Sequence, residues 1–231
     1  PYPSMLPAPR VTVVTPTYNR AGLLRETIES ILSQSFQDFE YIIVDDGSTD
    51  DTESVVRSFG DRVIYCHHEN VGEAESTNRG WRLARGHYFA VVSSDDPVAP
   101  NWLEEMVAFL DARPELIVAY PEWRIIDENS NVVEDALTWD YSLERMVGWL
   151  TTLPGPGSLI RKGALSDIDA LRDPTYRFVP DLESWMRLGL RGEFARVPKQ
   201  LANWRTHPTS ITVAERSIAR AEEMIRLVVE F

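Results

Sequence analysis

Hydrophobic and polar positions alternate between two periods along the first hundred residues. RVTVVTP (10–16) is β-branched and almost continuously apolar, as a strand covered on both faces would be. AGLLRETIESILSQS (21–35) instead spaces Leu24, Ile28, Ile31 and Leu32 three and four apart, the repeat of an amphipathic helix. The same pair of patterns then recurs. FEYIIVDD (39–46) predicts a second strand, and DTESVVRSF (51–59) a helix with Val55, Val56 and Phe59 inward, capped by Ser48 or Asp50. RVIYCHH (62–68) predicts a third strand, and GEAESTNRGWRLARG (72–86) a helix closed by Gly86. HYFAVVSS (87–94) reads as a fourth strand, and NWLEEMVAFLDA (101–112) as a helix stopped near Pro114. Strand–helix alternation of this kind predicts an α/β fold, with a mostly parallel central sheet flanked by helices.

The second half is less regular. LIVAYPEWRIID (116–127) and NVVE (131–134) can pair around a turn at 128–130, and YSLERMVGWL (141–150) is a short helix. TLPGPGSLIRK (152–162) is a loop entering a strand, its GPGS glycines offering close backbone approach at an acceptor pocket. DLESWMRLGLRG (181–192) is a helix with Leu182, Trp185 and Leu188 inward and Gly192 ending it. EFARVPKQLANWRTH is extended, and AERSIARAEEMIRLVVEF is an amphipathic helix with Val228 and Val229 uncovered. Residues 1–9, rich in proline, read as a flexible lead. Residues 10–212 read as one domain, with a nucleotide-binding half (10–100) and a mixed acceptor-side half (101–212). Residues 213–231 form a C-terminal helix that docks on the body, on a partner subunit in an oligomer, or on a further segment.

Composition narrows the class. With 231 residues, 43% of them hydrophobic, the chain can bury one sizeable core. No apolar run approaches the length needed to span a bilayer, so no transmembrane segment is expected. The formal charge of −13 argues against a nucleic acid polymer as partner. The acids are concentrated: 13 of them face 3 arginines between Ser93 and Arg145, more than a solvated face requires if some hold a cation. A single cysteine, Cys66, rules out an intramolecular disulfide and fits a reducing, cytoplasmic setting. Its place within a strand pattern predicts a buried, inert thiol.

Three predicted strand ends carry the candidate chemistry. In open α/β sheets, ligands sit outside the carboxyl ends of the strands. TPTYNR (15–20) offers Tyr18 and Asn19 there, VDDGSTD offers Asp45 and Asp46, and SSDDP (93–97) offers Asp95 and Asp96. Two Asp pairs aimed at one crevice repel unless a cation or ligand donors neutralise them. Oxygen ligands at that density suit Mg²⁺ or Mn²⁺ holding a diphosphate. No GxGxxG follows the first strand and no GxxxxGK[ST] occurs, which argues against dinucleotide and P-loop sites. A receiver domain would place its acidic pair after the first strand and add a late lysine, which is absent.

Taken in order, VTVVTPTYNRAGLLRETIESILSQSFQDFEYIIVDDGSTDDT, VGEAESTNRGWRLARGHYFAVVSSDDPVAP, PDLESWMRLGLRG and WRTHPTSIT resemble a GT-A fold, family 2 glycosyltransferase, over roughly 10–212. The resemblance implies an inverting transfer from a nucleotide diphosphate sugar, UDP-linked in the first instance, to a glycan, lipid-linked or other hydroxyl acceptor. That is the chemistry of polysaccharide biosynthesis, in the cytoplasm or at the inner face of a membrane. It implies that Thr15, Pro16 and Tyr18 pack on the base and that Asp46 bonds the base edge. Asp95 would face the ribose or sugar, and Asp96 would ligate the divalent cation with help from His207. Asp181 falls at the general base, with Glu183 as the alternative, and Arg20, Arg79 and Arg205 are candidate phosphate contacts. The chain departs from the pattern at Ser93, where an acid begins the usual DxDD run, at Pro180, where Glu often precedes the base, and at Thr77, where Arg often precedes Asn. Those departures keep a second class open, a non-catalytic nucleotide-sugar-binding or scaffold module. Nucleotidyl transfer is the third reading, disfavoured by the missing phosphate loop.

Overall fold

The computed structural model describes residues 7–207 and 218–231. Its centre is β1 (Val11–Thr17), every residue of which is buried. β1 pairs in parallel with β2 (Phe39–Asp45) on one side and β4 (Tyr88–Val91) on the other, and β3 (Ile64–His67) extends the sheet beyond β2. The connections are α1 (Ala21–Leu32), α2 (Thr52–Arg57) and α3 (Glu73–Leu83). After α4 (Trp102–Asp111) the sheet becomes mixed. β5 (Leu116–Ile126) forms an antiparallel hairpin with β6 (Val132–Asp135), around the turn expected from sequence. The helix α5 (Leu143–Trp149) precedes β7 (Leu159–Arg161), which inserts antiparallel between β4 and β5. Finally α6 (Pro180–Gly189) leads to β8 (Glu193–Arg205), parallel to β5, and α7 (Ile218–Glu230) closes the chain. One eight-stranded sheet, ordered β3-β2-β1-β4-β7-β5-β6 with β8 beside β5, therefore runs through both halves.

The period-2 pattern of the strands divides the core between two faces. Val11, Val13 and Ile43 pack with α1 and α4, against Leu24, Ile28, Ile31, Trp102 and Met106. Val14, Ile42 and Val44 pack on the other face with Trp81 of α3 and Leu188 of α6. A third cluster joins Met146 of α5, Leu182 and Met186 of α6, and Leu227 of α7. Of the dockings left open for the last helix, the structure shows one on the body. Glu223 accepts the N–H groups of Arg177 and Phe178 at 2.8 and 2.7 Å, just ahead of α6. Val228 and Val229 remain exposed on its outer side. The residues about the 212/213 boundary lie outside those described. No described helix is long and apolar enough to cross a membrane. Cys66 is half-buried on β3, and that burial raises its thiol pKa, disfavouring the reactive thiolate.

Two glycines do other work than expected. α3 ends at Leu83, before Gly86, and a Cβ on Gly86 would lie 2.5 Å from the Thr12 backbone nitrogen. Gly86 is required by close approach to β1, and not as a helix stop. Gly157, read from sequence as shaping an acceptor pocket, is packed into the core instead. Its φ is +76°, its carbonyl accepts the buried Trp102 indole N–H at 2.7 Å, and a Cβ would lie 2.9 Å from that of Ala202. Backbone strain and overpacking act together there, so Gly157→Val should cost about 2–4 kcal/mol. Thermal denaturation is expected to show Tm lowered by roughly 5–15 °C.

Candidate active site

The carboxyl ends of β1, β2 and β4 open on one edge of the sheet. β2 and β4 flank β1, so about 10 Å of sheet width separates their ends. At the end of β1, Asn19 adopts a left-handed backbone (φ 51°), which asparagine tolerates, and its side chain accepts the Thr49 N–H at 2.8 Å. This turn leaves Tyr18 47% exposed at the crevice. Thr15 and Pro16 do not join it. Thr15 is fully buried and accepts the Tyr41 hydroxyl at 3.0 Å, while Pro16 is buried within the sheet beside Val44. Neither can pack on a base. The neighbouring Thr17 is buried at the strand end, and its hydroxyl has no partner among the described residues.

The first aspartate pair is neutralised by protein donors. Asp45 accepts the Ser48 N–H at 2.9 Å and the Tyr65 hydroxyl at 2.6 Å, which fixes the turn after β2. Asp46 accepts the N–H groups of Val71 and Gly72 at 2.7 and 2.9 Å, with His68 Nδ1 3.5 Å away. Its two oxygens close the loop that leads into α3, each keeping a second lone pair for a ligand.

The second pair divides its work, in the reverse of the expected order. Asp96 is buried; it accepts the Arg205 N–H at 2.7 Å and a hydrogen bond from Ser93. Burial, and then the adjacent Asp95 charge, push its pKa well above the carboxylate range. It therefore holds the end of β8 to the segment after β4 and does not face the crevice as a metal ligand. Asp95 is the partly exposed member, with Oδ2 2.8 Å from His207 Nε2. The carboxylate oxygen suits Mn²⁺ or Mg²⁺, cations that take a few protein ligands and complete their shell with phosphate and water, and the imidazole nitrogen is a poor ligand for Mg²⁺. Among the described residues, no group of three or more such side chains forms a metal cage.

Arg205 is not a phosphate contact. Its side chain has 0% exposure, and every guanidinium nitrogen is used. Nε donates to the Asp95 carbonyl at 2.8 Å, and Nη1 to the Asp127 carbonyl and Ser130 hydroxyl, both at 3.0 Å. Nη2 donates to Glu26 at 2.7 Å. Arg79 shares the outer side of α3 with Glu75 and Arg82. Arg20 precedes α1, where its backbone N–H donates to Thr52 at 3.3 Å.

Asp181 lies in the first turn of α6. It is not the N-cap, a position held by Val179, although it accepts the Leu182 N–H at 2.9 Å. The residue is exposed, yet crowded by enough protein to lose solvation, which raises its carboxyl pKa against the pull of Arg172. Arg172 went unrecognised in the sequence. It pairs with Glu73 at the start of α3, and its backbone is locked by Asn78, which accepts its N–H at 2.8 Å and donates to its carbonyl at 2.7 Å. No motif marks a contact across 94 residues. Asp46 thus holds Gly72, the adjacent Glu73 pairs with Arg172, and the Arg172 charge acts on Asp181. Glu183 is a poor alternative base, since Arg187 holds both its oxygens, at 2.7 and 3.2 Å.

A central sheet of this order, with acidic side chains at its carboxyl edge, defines a GT-A fold of the kind found in nucleotide-sugar transferases. Residues 12–169 match the family described as Glycosyl transferase family 2, and the chain belongs to that family. It is 35% identical over 125 residues to an uncharacterized glycosyltransferase of Rickettsia prowazekii, covering 54% of this chain and 39% of that protein. It is 29% identical over 196 residues to Bacillus subtilis TuaG, a glycosyltransferase assigned to teichuronic acid biosynthesis, covering 80% of this chain and 73% of TuaG. The chain thus spans about two fifths of the Rickettsia relative. Among solved structures, S. aureus TarS 1–349 in complex with UDP superposes with a TM-score of 0.75 at 22% identity, over 96% of this chain and 64% of that one. A Pyrobaculum calidifontis mannosyltransferase in complex with GDP-Man and Mn²⁺ gives 0.66 at 18% identity, over 97% and 64%. At these identities the structural likeness establishes the fold.

The Arg205 arrangement carries its own prediction. Arg205→Lys keeps the charge but cannot serve four acceptors in a planar fork, and should lower unfolding free energy by about 2–4 kcal/mol. Urea titration should show a lower midpoint at unchanged slope. A variant of full stability with weakened nucleotide binding would return Arg205 to the phosphate site.

Proposed function

We propose that this chain transfers a glycosyl group from a nucleotide diphosphate sugar to a hydroxyl acceptor, with inversion at the anomeric carbon and Asp181 as general base. The observation that carries the reading is Asp181 itself. It is an exposed carboxylate with a raised pKa, placed by α6 and the Glu73–Arg172 pair on the crevice that also receives Asp46. UDP is the favoured donor nucleotide, a choice supported by the UDP in the TarS complex.

Asp95 and His207 are the residues that would hold a divalent cation. When bound, it supplies Lewis-acid neutralisation of the departing diphosphate. The exposed ring of Tyr18 is the wall available to the base and ribose. Asp181 accepts the acceptor hydroxyl proton as that oxygen bonds to the anomeric carbon. The bond from that carbon to the diphosphate oxygen breaks on the opposite face. A single displacement inverts the centre, as in inverting glycosidases. A raised pKa strengthens the base, because proton transfer works best when the base pKa lies near the operating pH. The Arg172 charge opposes that rise.

The test is UDP release from a panel of UDP-sugars with Mn²⁺, repeated with GDP- and dTDP-sugars. Asp181→Asn should reduce transfer by about 10²–10⁴-fold while leaving UDP binding intact. Asp95→Ala should abolish the metal dependence of UDP binding. The base acts deprotonated, so kcat/KM should fall as pH drops through the Asp181 pKa, at a pH above that of an ordinary aspartate. UDP binding without release in every combination would make the chain a binding module, and pyrophosphate release would make it a nucleotidyltransferase.

A further inference from the structure

Among the tryptophans of the second half, Trp123, Trp139, Trp149 and Trp185 could serve as core or as contact surface, and the structure separates them. Trp123 and Trp185 are partly buried and pack against the main clusters. Trp139 and Trp149 are 41% and 54% exposed. They meet edge to face, with ring centroids 5.6 Å apart and planes at 79°. The Arg145 guanidinium lies 5.6 Å from one centroid and 5.2 Å from the other, bracing the pair from the protein side. The Tyr120 hydroxyl fixes the backbone beneath by donating to the Trp139 carbonyl at 2.6 Å. Two large exposed rings held in a fixed geometry cost apolar exposure that folding does not require.

Their place relative to α6 gives the pair a use. Residues at the start of α5 abut the end of α6: a Cβ on Gly189 would meet Tyr141 and Leu143. Met146, Leu150 and Leu153 share one cluster with Val179, Leu182 and Met186. The start of α5 thus abuts the end of α6, and the residues just after Trp149 share a cluster with those that open α6, the helix that presents Asp181.

We propose that Trp139 and Trp149, braced by Arg145, form the acceptor subsite, stacking on the C–H face of an uncharged pyranose ring in a glycan acceptor. This rests on the glycosyl-transfer reading and names its acceptor class. Sugar C–H groups carry partial positive charge and pair with the negative face of an aromatic ring. Near the platform in sequence, exposed Glu134, Asp135, Asp140 and Glu144 are offset by Arg145, and by Arg124 and Arg196, which pair with Asp135 and Asp140. Charges that nearly balance offer little attraction to an anionic bilayer or a charged polymer, and match a neutral sugar as the partner.

The experiment titrates the full chain with chitopentaose, cellopentaose and maltopentaose, reading protection of tryptophan fluorescence from acrylamide. UDP with Mn²⁺ is titrated in parallel. At least one oligosaccharide should protect the wild type. Its Kd should rise about tenfold in Trp149→Ala and largely recover in Trp149→Phe, with UDP affinity unchanged in both. Binding of no oligosaccharide, or equal binding to wild type and Trp149→Ala, overturns the proposal. Protection by phosphatidylglycerol vesicles in place of the sugars also overturns it, in favour of a membrane contact. A loss of UDP affinity in Trp149→Ala equal to the loss of sugar affinity would make the residue structural and overturn it too. Failure of wild type to bind or release UDP defeats the transfer reading alone, since the sugar titration reports on the platform by itself.

Discussion

One fully buried guanidinium ties the crevice together. Arg205 at the end of β8 donates to α1 through Glu26, to the β5–β6 turn through Asp127 and Ser130, and to the post-β4 segment through the Asp95 carbonyl. Its own N–H donates to the Asp96 carboxylate. Four parts of the chain far apart in sequence thus share one cation, and a planar fork is the side chain that can reach them all. Two residues further on, His207 meets Asp95. The Asp95–His207 pair is placed in part by a guanidinium that holds the Asp95 backbone.

The acidic motifs resolve into two kinds of carboxylate. Asp45, Asp46 and Asp96 spend their charge on backbone and side-chain donors, shaping a turn, a loop and a strand end. Asp95 and Asp181 remain accessible. Repulsion among the acids is relieved mainly by N–H groups that the fold directs at them, in keeping with the rule that buried charges are paired or hydrogen-bonded. A cation is then needed for only a small part of the local charge.

Much of the fold was legible because strands buried on both faces and amphipathic helices write different periods into sequence. Leu24, Ile28 and Ile31 fall on the core side of α1 as their spacing requires, and the β5–β6 hairpin follows its turn. The site was legible to the level of segments and less so to the level of atoms. Just past β1 the exposed residue is Tyr18, while Thr15 and Pro16 are buried within the strand. In SSDD the burial of Asp96 depends on β8, more than a hundred residues away. Arg205 and Arg172 could not be assigned from spacing, because their partners are backbone carbonyls and an asparagine supplied by distant elements. Local pattern carries direction along a strand; it carries no information about which distant group satisfies a charge.

The docking of α7 has a mechanical side. Its Glu223 carboxylate fastens two successive amides immediately upstream of α6, and its Leu227 plugs the same cluster as Leu182. The terminal helix is a brace on the element that presents Asp181, so the stiffness of that presentation is set in part at the far end of the polypeptide.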